Sequence, residues 1–153
     1  MNSFYIDKND IKPFMAGLFK GSELDKLLLR TFEAKARTTT ILDGKLNKSF
    51  FEEEPSEDYI VWEDIRELAF SSIKGSKSPN LMKIILSLPS QRLEEFSPNA
   101  AALFINILYE NGELLISTGS AQKEFSLDRS FEALWADYAV KLLKAMGITP
   151  IKR

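Results

Sequence analysis

The chain has 153 residues and a formal net charge of −2, and it contains no cysteine and no histidine. That length suits one domain, residues 1–153, able to bury a core without cross-links. The missing residue types exclude disulfides, cysteine-ligated metal centres and imidazole-assisted serine or cysteine catalysis, and the near-balanced charge exerts no bulk pull on nucleic acid or anionic lipid.

The first residues, Met1-Asn2-Ser3-Phe4-Tyr5-Ile6-Asp7, lack the basic start and long apolar run of a secretory signal, and no later run reaches membrane-spanning length. The expected compartment is the cytoplasm, with no membrane partner. Residues 3–6 read as a short strand. Asn9 or Asp10 then caps a helix with Ile11, Phe14, Met15, Leu18 and Phe19 on one face, Pro13 in its first turn and Gly21 at its end. From Arg30 the pattern alternates, with Phe32, Ala34 and Ala36 against Thr31, Glu33, Lys35 and Arg37, which predicts a strand. Asp43-Gly44 predicts a hairpin that pairs Ile41 with Leu46. Odd positions would then point inward, so a break or bulge is expected near residues 38–40.

Residues 52–58 are polar, carry Pro55 and predict an exposed connection. Trp62, Ile65, Leu68, Ala69 and Ile73 recur at helical spacing and predict a helix over residues 62–74, stopped by Gly75. Residues 81–88 have few polar interruptions and predict a central strand closed by Pro89. A short helical turn over residues 91–96 follows.

The clearest signal is Asn111-Gly112 between two apolar runs rich in β-formers. Both central residues of a two-residue type I′ turn need positive φ, which Asn tolerates and Gly adopts at little cost. Counting outward pairs Glu110 with Glu113, Tyr109 with Leu114, Ile107 with Ile116 and Ile105 with Thr118. Ile105, Ile107, Tyr109, Leu114 and Ile116 then share the core face. Residues 123–127 alternate and predict one more strand, completing a meander. Asp128 caps a last helix, residues 131–146, on which Phe131, Leu134, Trp135, Tyr138, Ala139, Leu142, Leu143 and Met146 form one face. The fold expected is α+β: an antiparallel sheet of five to seven strands built from hairpins and a meander, covered on one face by the helices at 62–74 and 131–146.

Several segments carry a resemblance: Asp43-Gly44-Lys45-Leu46-Asn47-Lys48, the Trp62-x-x-Ile65-Arg66-x-Leu68 helix running to Ile73-Lys74-Gly75, Tyr109-Glu110-Asn111-Gly112, and Phe125-Ser126-Leu127-Asp128. Over residues 27–146 the chain resembles a family of small bacterial proteins known only as a domain of unknown function. The resemblance implies a bacterial cytoplasmic setting and favours strand around residues 30–37. It transfers no catalytic or binding residue.

Four groups of residues are candidates for chemistry. The acids Glu52, Glu53, Glu54, Glu57, Asp58, Glu63, Asp64 and Glu67 offer oxygen ligands for magnesium or calcium, but without the regular spacing and glycine of a calcium loop; a solvated loop and an acidic helix start explain them better. Lys74-Gly75-Ser76-Lys77-Ser78-Pro79 has the composition of a phosphate loop, yet a helix precedes it and a strand follows, the reverse of a P-loop. Lys35, Arg37, Lys45 and Lys48, with Phe50 and Phe51 nearby, form a modest basic patch among compensating acids, and nucleic-acid binding would also bring Lys74 and Lys77 to that face. Trp62, Phe131, Trp135 and Tyr138 read as core rather than as ligand stacks. The sequence therefore names no catalytic, cofactor-binding or metal residue and no cofactor. It favours a non-catalytic module that binds a protein or small-molecule partner and is open to homo-oligomerisation. A carboxylate enzyme, with or without magnesium, stands second, and a weak nucleic-acid binder third.

Overall fold

The protein is described by a computed structural model covering residues 2–153. Asn111 and Gly112 hold φ of +53° and +81°, the pair of left-handed residues that a type I′ turn demands. Strands β5 (Ala100–Glu110) and β6 (Glu113–Gln122) close on this turn in the expected register, from Glu110 opposite Glu113 to Ile105 opposite Thr118. The other strands are β1 (Ser3–Ile6), β2 (Leu28–Lys35), β3 (Thr39–Asp43), β4 (Leu81–Ser87) and β7 (Ile151–Lys152). Together they form one seven-stranded sheet in the order β3-β2-β4-β5-β6-β1-β7, with every neighbouring pair antiparallel.

One sheet face gathers the inward apolar positions. Phe32, Ala34, Met82, Ile84, Leu86, Ile105, Ile107, Leu114 and Ile116 are all buried there, beneath helices α1 (Lys8–Lys20), α2 (Trp62–Ile73) and α3 (Ser130–Ala145). Two covering helices are expected from the sequence; α1 is a third, with Phe14, Leu18 and Phe19 buried. It lies between the others: Phe19 packs on Phe70 of α2 at 5.3 Å, and a Cβ at Gly17 would meet the Met146 side chain beside α3. On α3, Phe131, Trp135, Ala139 and Leu143 are buried, and the Trp135 indole N–H donates to the Phe104 carbonyl at 2.8 Å. The apolar stripes are narrower than helical spacing suggests, since Leu68 is 58% and Leu134 53% exposed.

Three local expectations need correction. First, α1 begins earlier. Asp7 is its cap, its carboxylate accepting from the Asn9 N–H at 3.0 Å, so Pro13 sits past the first turn. Second, Asp43-Gly44 is no hairpin turn. Gly44 does not adopt positive φ; its amide donates to the Arg30 carbonyl, and a Cβ there would lie 1.7 Å from the Leu29 carbonyl oxygen. Glycine is required by that close approach rather than by a reversal. Lys45 bridges to Tyr59, while β3 pairs with β2, Leu42 facing Phe32, through a turn at residues 36–38. Ile41 consequently points outward.

Third, residues 123–127 form no strand, and Phe125 and Leu127 are 84% and 89% exposed. The edge of β6 that a meander would use is taken by β1, with Phe4 opposite Ile116 and Ile6 opposite Leu114. The loop instead satisfies its backbone on side chains: Asn99 exchanges two hydrogen bonds with Glu124, and Gln122 accepts from the Ser126 N–H. Asp128 still serves the helix start, accepting from the Ser130 N–H, a bond that holds its carboxyl below the usual range.

Gly112→Val is expected to destabilise by about 1–3 kcal/mol in urea unfolding, because a β-branched residue is strained at this φ; a neutral substitution would show that the turn relaxes to another type. Leu143→Ala should cost about 2–5 kcal/mol and Leu134→Ala well under half of that. Equal losses would remove the buried stripe of α3 from the core.

Candidate functional site

The ties between α1 and α2 are concentrated at the C-terminal end of α1. The indole N–H of Trp62 donates to the Leu18 carbonyl at 2.7 Å, and the Arg66 guanidinium donates to the Gly21 carbonyl at 2.7 Å. Phe19 is wedged between Trp62, at 5.7 Å, and Phe70, at 5.3 Å. Each of these bonds satisfies a carbonyl that the ending helix leaves open.

Along α1, from Lys8 to Lys20, lies a groove of about 630 Å³, within the range of about 300–1,000 Å³ that small-molecule sites occupy. Ile11, Met15 and Phe19 form one wall, and Phe70 and Ile73 of α2 with Pro79 form the other. Its floor comes from the sheet, where Met82 of β4 stands opposite Tyr109 of β5. Gly112, at the hairpin tip, closes one end.

The charges around this groove have one sign. Lys8 and Lys12, one turn apart on α1, and Lys20 at its end are exposed at the mouth. The Lys20 ammonium lies 6.0 Å from the centre of the Phe70 ring, a separation at which the ring face attracts a cation. No carboxylate lines the groove. An apolar bed with a wholly cationic rim is suited to a molecule with an apolar body and an anionic end.

Beside it lies a second, polar hollow of about 620 Å³. Arg37 and Thr38 come from the turn between β2 and β3, and Lys74, Ser76 and Lys77 from the segment after α2. The turn is held by the Ala36 amide donating to the Thr38 carbonyl, and the Asn80 amide donating to the Lys35 carbonyl joins the two segments at 2.7 Å. Ile73 and Ser78 line both hollows.

The acidic candidates are dispersed. Asp58 and Glu54 lie 2.8 and 3.8 Å from the Lys48 ammonium, Glu57 accepts from the Ser90 amide and hydroxyl at 3.0 Å each, and Glu63 pairs with Lys26. The hydrogen bond between Lys48 and Asp58 raises the lysine pKa and lowers that of the carboxyl. Among the described residues no three carboxylates converge as metal ligands. The six basic candidates divide as well: Arg37, Lys74 and Lys77 share the polar hollow, while Lys48 is engaged by acids. Trp62, Phe131 and Trp135 are buried, and Tyr138 stacks on Trp135 at 5.6 Å, all within or against the core. Phe50 projects into solvent.

The groove itself escaped the sequence reading. Its signal was the placement of Lys8, Lys12 and Lys20 beside Ile11, Met15 and Phe19, a pattern that any amphipathic surface helix shares.

No helix among the described residues is long and apolar enough to cross a membrane. Comparison with curated proteins and with solved structures returns no match. A family model does match, over residues 17–149, and the chain belongs to the family of unknown function DUF5721.

Proposed function

We propose that the protein is a non-catalytic binding module for a small anionic amphiphile, held between α1 and α2. The observation that carries this reading is the groove of about 630 Å³ whose walls are apolar and whose charged lining residues are Lys8, Lys12 and Lys20 alone. Magnitudes divide the work. Each buried methylene contributes about 0.8 kcal/mol, whereas an exposed ion pair contributes about 0.2–1 kcal/mol. The apolar chain therefore supplies most of the affinity and the lysines select the sign of the head group. Asp7 and Glu113 share a neighbouring hollow with Lys8, whereas Lys12 and Lys20 have no carboxylate beside them in the groove lining. We place this module in the bacterial cytoplasm, the setting that the sequence resemblance implies.

Titration calorimetry below micellar concentrations, with dodecanoate and with dodecyltrimethylammonium, tests the reading. Dodecanoate should bind clearly tighter than the cation; Met15→Trp, which fills the groove, should abolish binding, and Lys12→Glu should weaken it about tenfold, or ~1.4 kcal/mol. Equal binding of both amphiphiles, or indifference to Met15→Trp, would sink it.

The rival reading, a carboxylate enzyme using magnesium, needs acids that converge. Glu54 and Asp58 are drawn to Lys48, Glu57 to Ser90 and Glu63 to Lys26. Millimolar magnesium, manganese or calcium should leave the melting temperature within the range set by ionic strength. A site at a hundred times its dissociation constant would add about 2.7 kcal/mol, and a metal-specific shift of that size, lost in Glu57→Gln/Asp58→Asn, would put the enzyme first.

A further inference from the structure

We propose that the polar hollow lined by Arg37, Lys74 and Lys77 is the head-group half of the same site, and that the ligand is a phosphate monoester on an apolar chain. This inference rests on the groove reading above and deepens it. Two observations carry it. The hollows adjoin, both lined by Ile73 and Ser78, so a ligand whose chain lies on Met15 and Phe70 has the second hollow next to its end. The second hollow is polar where the first is apolar, and its charged lining residues are three cations with no carboxylate among them.

The donor set fits a phosphate better than a carboxylate. A guanidinium presents a planar fork that matches two phosphate oxygens, and ammonium groups supply further charge from any direction. Ser76 and Ser78 add hydroxyl donors at the same hollow. A phosphate monoester carries a charge of about −1.5 to −2 at neutral pH and three acceptor oxygens, enough to engage several of these groups together; a carboxylate has one charge and two oxygens.

One force opposes the site. The hollow lies at the C-terminal end of α2, where the helix dipole is negative, an effect of about 0.3–1 kcal/mol on a nearby charge. The terminal carbonyls are partly satisfied, since the Lys74 amide donates to the Phe70 carbonyl at 3.0 Å. Three whole positive charges outweigh a half charge of the other sign. Lys48, which a nucleic-acid surface would also use, is paired with Asp58 and Glu54 instead.

The test compares dodecyl phosphate with dodecanoate by calorimetry, and vesicles containing phosphatidic acid with phosphatidylcholine vesicles by co-sedimentation, on the full chain and on Arg37→Ala/Lys74→Ala/Lys77→Ala. All three side chains are exposed, so the variant should melt with the parent. Dodecyl phosphate should bind about tenfold tighter than dodecanoate. The triple variant should erase that advantage. Vesicle binding that the variant loses would assign the phosphate to a lipid head group, and monomer binding without vesicle binding would assign it to a soluble ester; either supports the inference. Dodecyl phosphate binding no tighter than dodecanoate, with vesicle binding unaffected by the variant, would overturn the head-group assignment and leave the groove reading standing. Failure of both amphiphiles to bind, with no vesicle binding, would overturn both.

Discussion

All three helices rest on a sheet face whose composition depends on Asn111 and Gly112. With positive φ at both residues the two longest strands close only with Glu110 opposite Glu113, and Ile105, Ile107, Leu114 and Ile116 then fall on one side. A slip of one residue on either strand would turn Asn106 or Ser117 towards α3. Each buried polar group left without a partner would cost about 1–3 kcal/mol. The constraint spreads through the ladders: β4 takes its register from β5, with Ile84 opposite Ile107, and β1 takes its own from β6, with Ile6 opposite Leu114. It also reaches the proposed site. Met82 and Tyr109, which floor the groove, are partners in that same ladder.

Why a groove exists between α1 and α2 follows from where the two helices are tied. Trp62 and Arg66 both bond to carbonyls at the end of α1, and Phe19 fills the space between Trp62 and Phe70. The groove extends from that tied end along the rest of α1, where Ile11 and Met15 line it together with Ile73 of α2. Met15 and Phe70 are only half-buried, leaving apolar surface that a ligand can remove from water without disturbing the core. Phe19, fully packed, forms the boundary between core and groove.

The sequence was most readable where one residue type answers one geometric demand. Asn-Gly permits a tight turn, and the counting that follows from it needs no tertiary information. Asp43-Gly44 looks the same and is not, because Gly44 answers a different demand, the close passage of the Leu29 carbonyl, which is set by a strand far away in the chain. Residues 123–127 alternate as a strand should, but pairing requires a free edge, and β1 had claimed the edge of β6. Alternation is a local property and edge availability is not. Leu68 and Leu134 fit a helical stripe and lie exposed for the same reason: periodicity defines a face, while the width actually covered depends on what packs there. The groove was invisible on stronger grounds, since it is bounded by four segments and its character depends on which side chains of each face it, the carboxylates of α1 and α2 lying outside its lining.

That absence also explains why net charge was a poor guide to partners. The chain is slightly acidic overall, which argues against an anionic ligand if charge is read as a sum. Screening makes it local instead: at physiological ionic strength exposed charges act over about 8 Å, so a bound head group responds to the side chains around it. Four of the eight acids of residues 52–67 are engaged elsewhere, by Lys48, Lys26 and Ser90. Lys8, Lys12 and Lys20 line one hollow and Arg37, Lys74 and Lys77 its neighbour, with no carboxylate in either lining. A sum near zero is therefore compatible with two adjoining positive surfaces, and the physical question for recognition is which charges share a cavity.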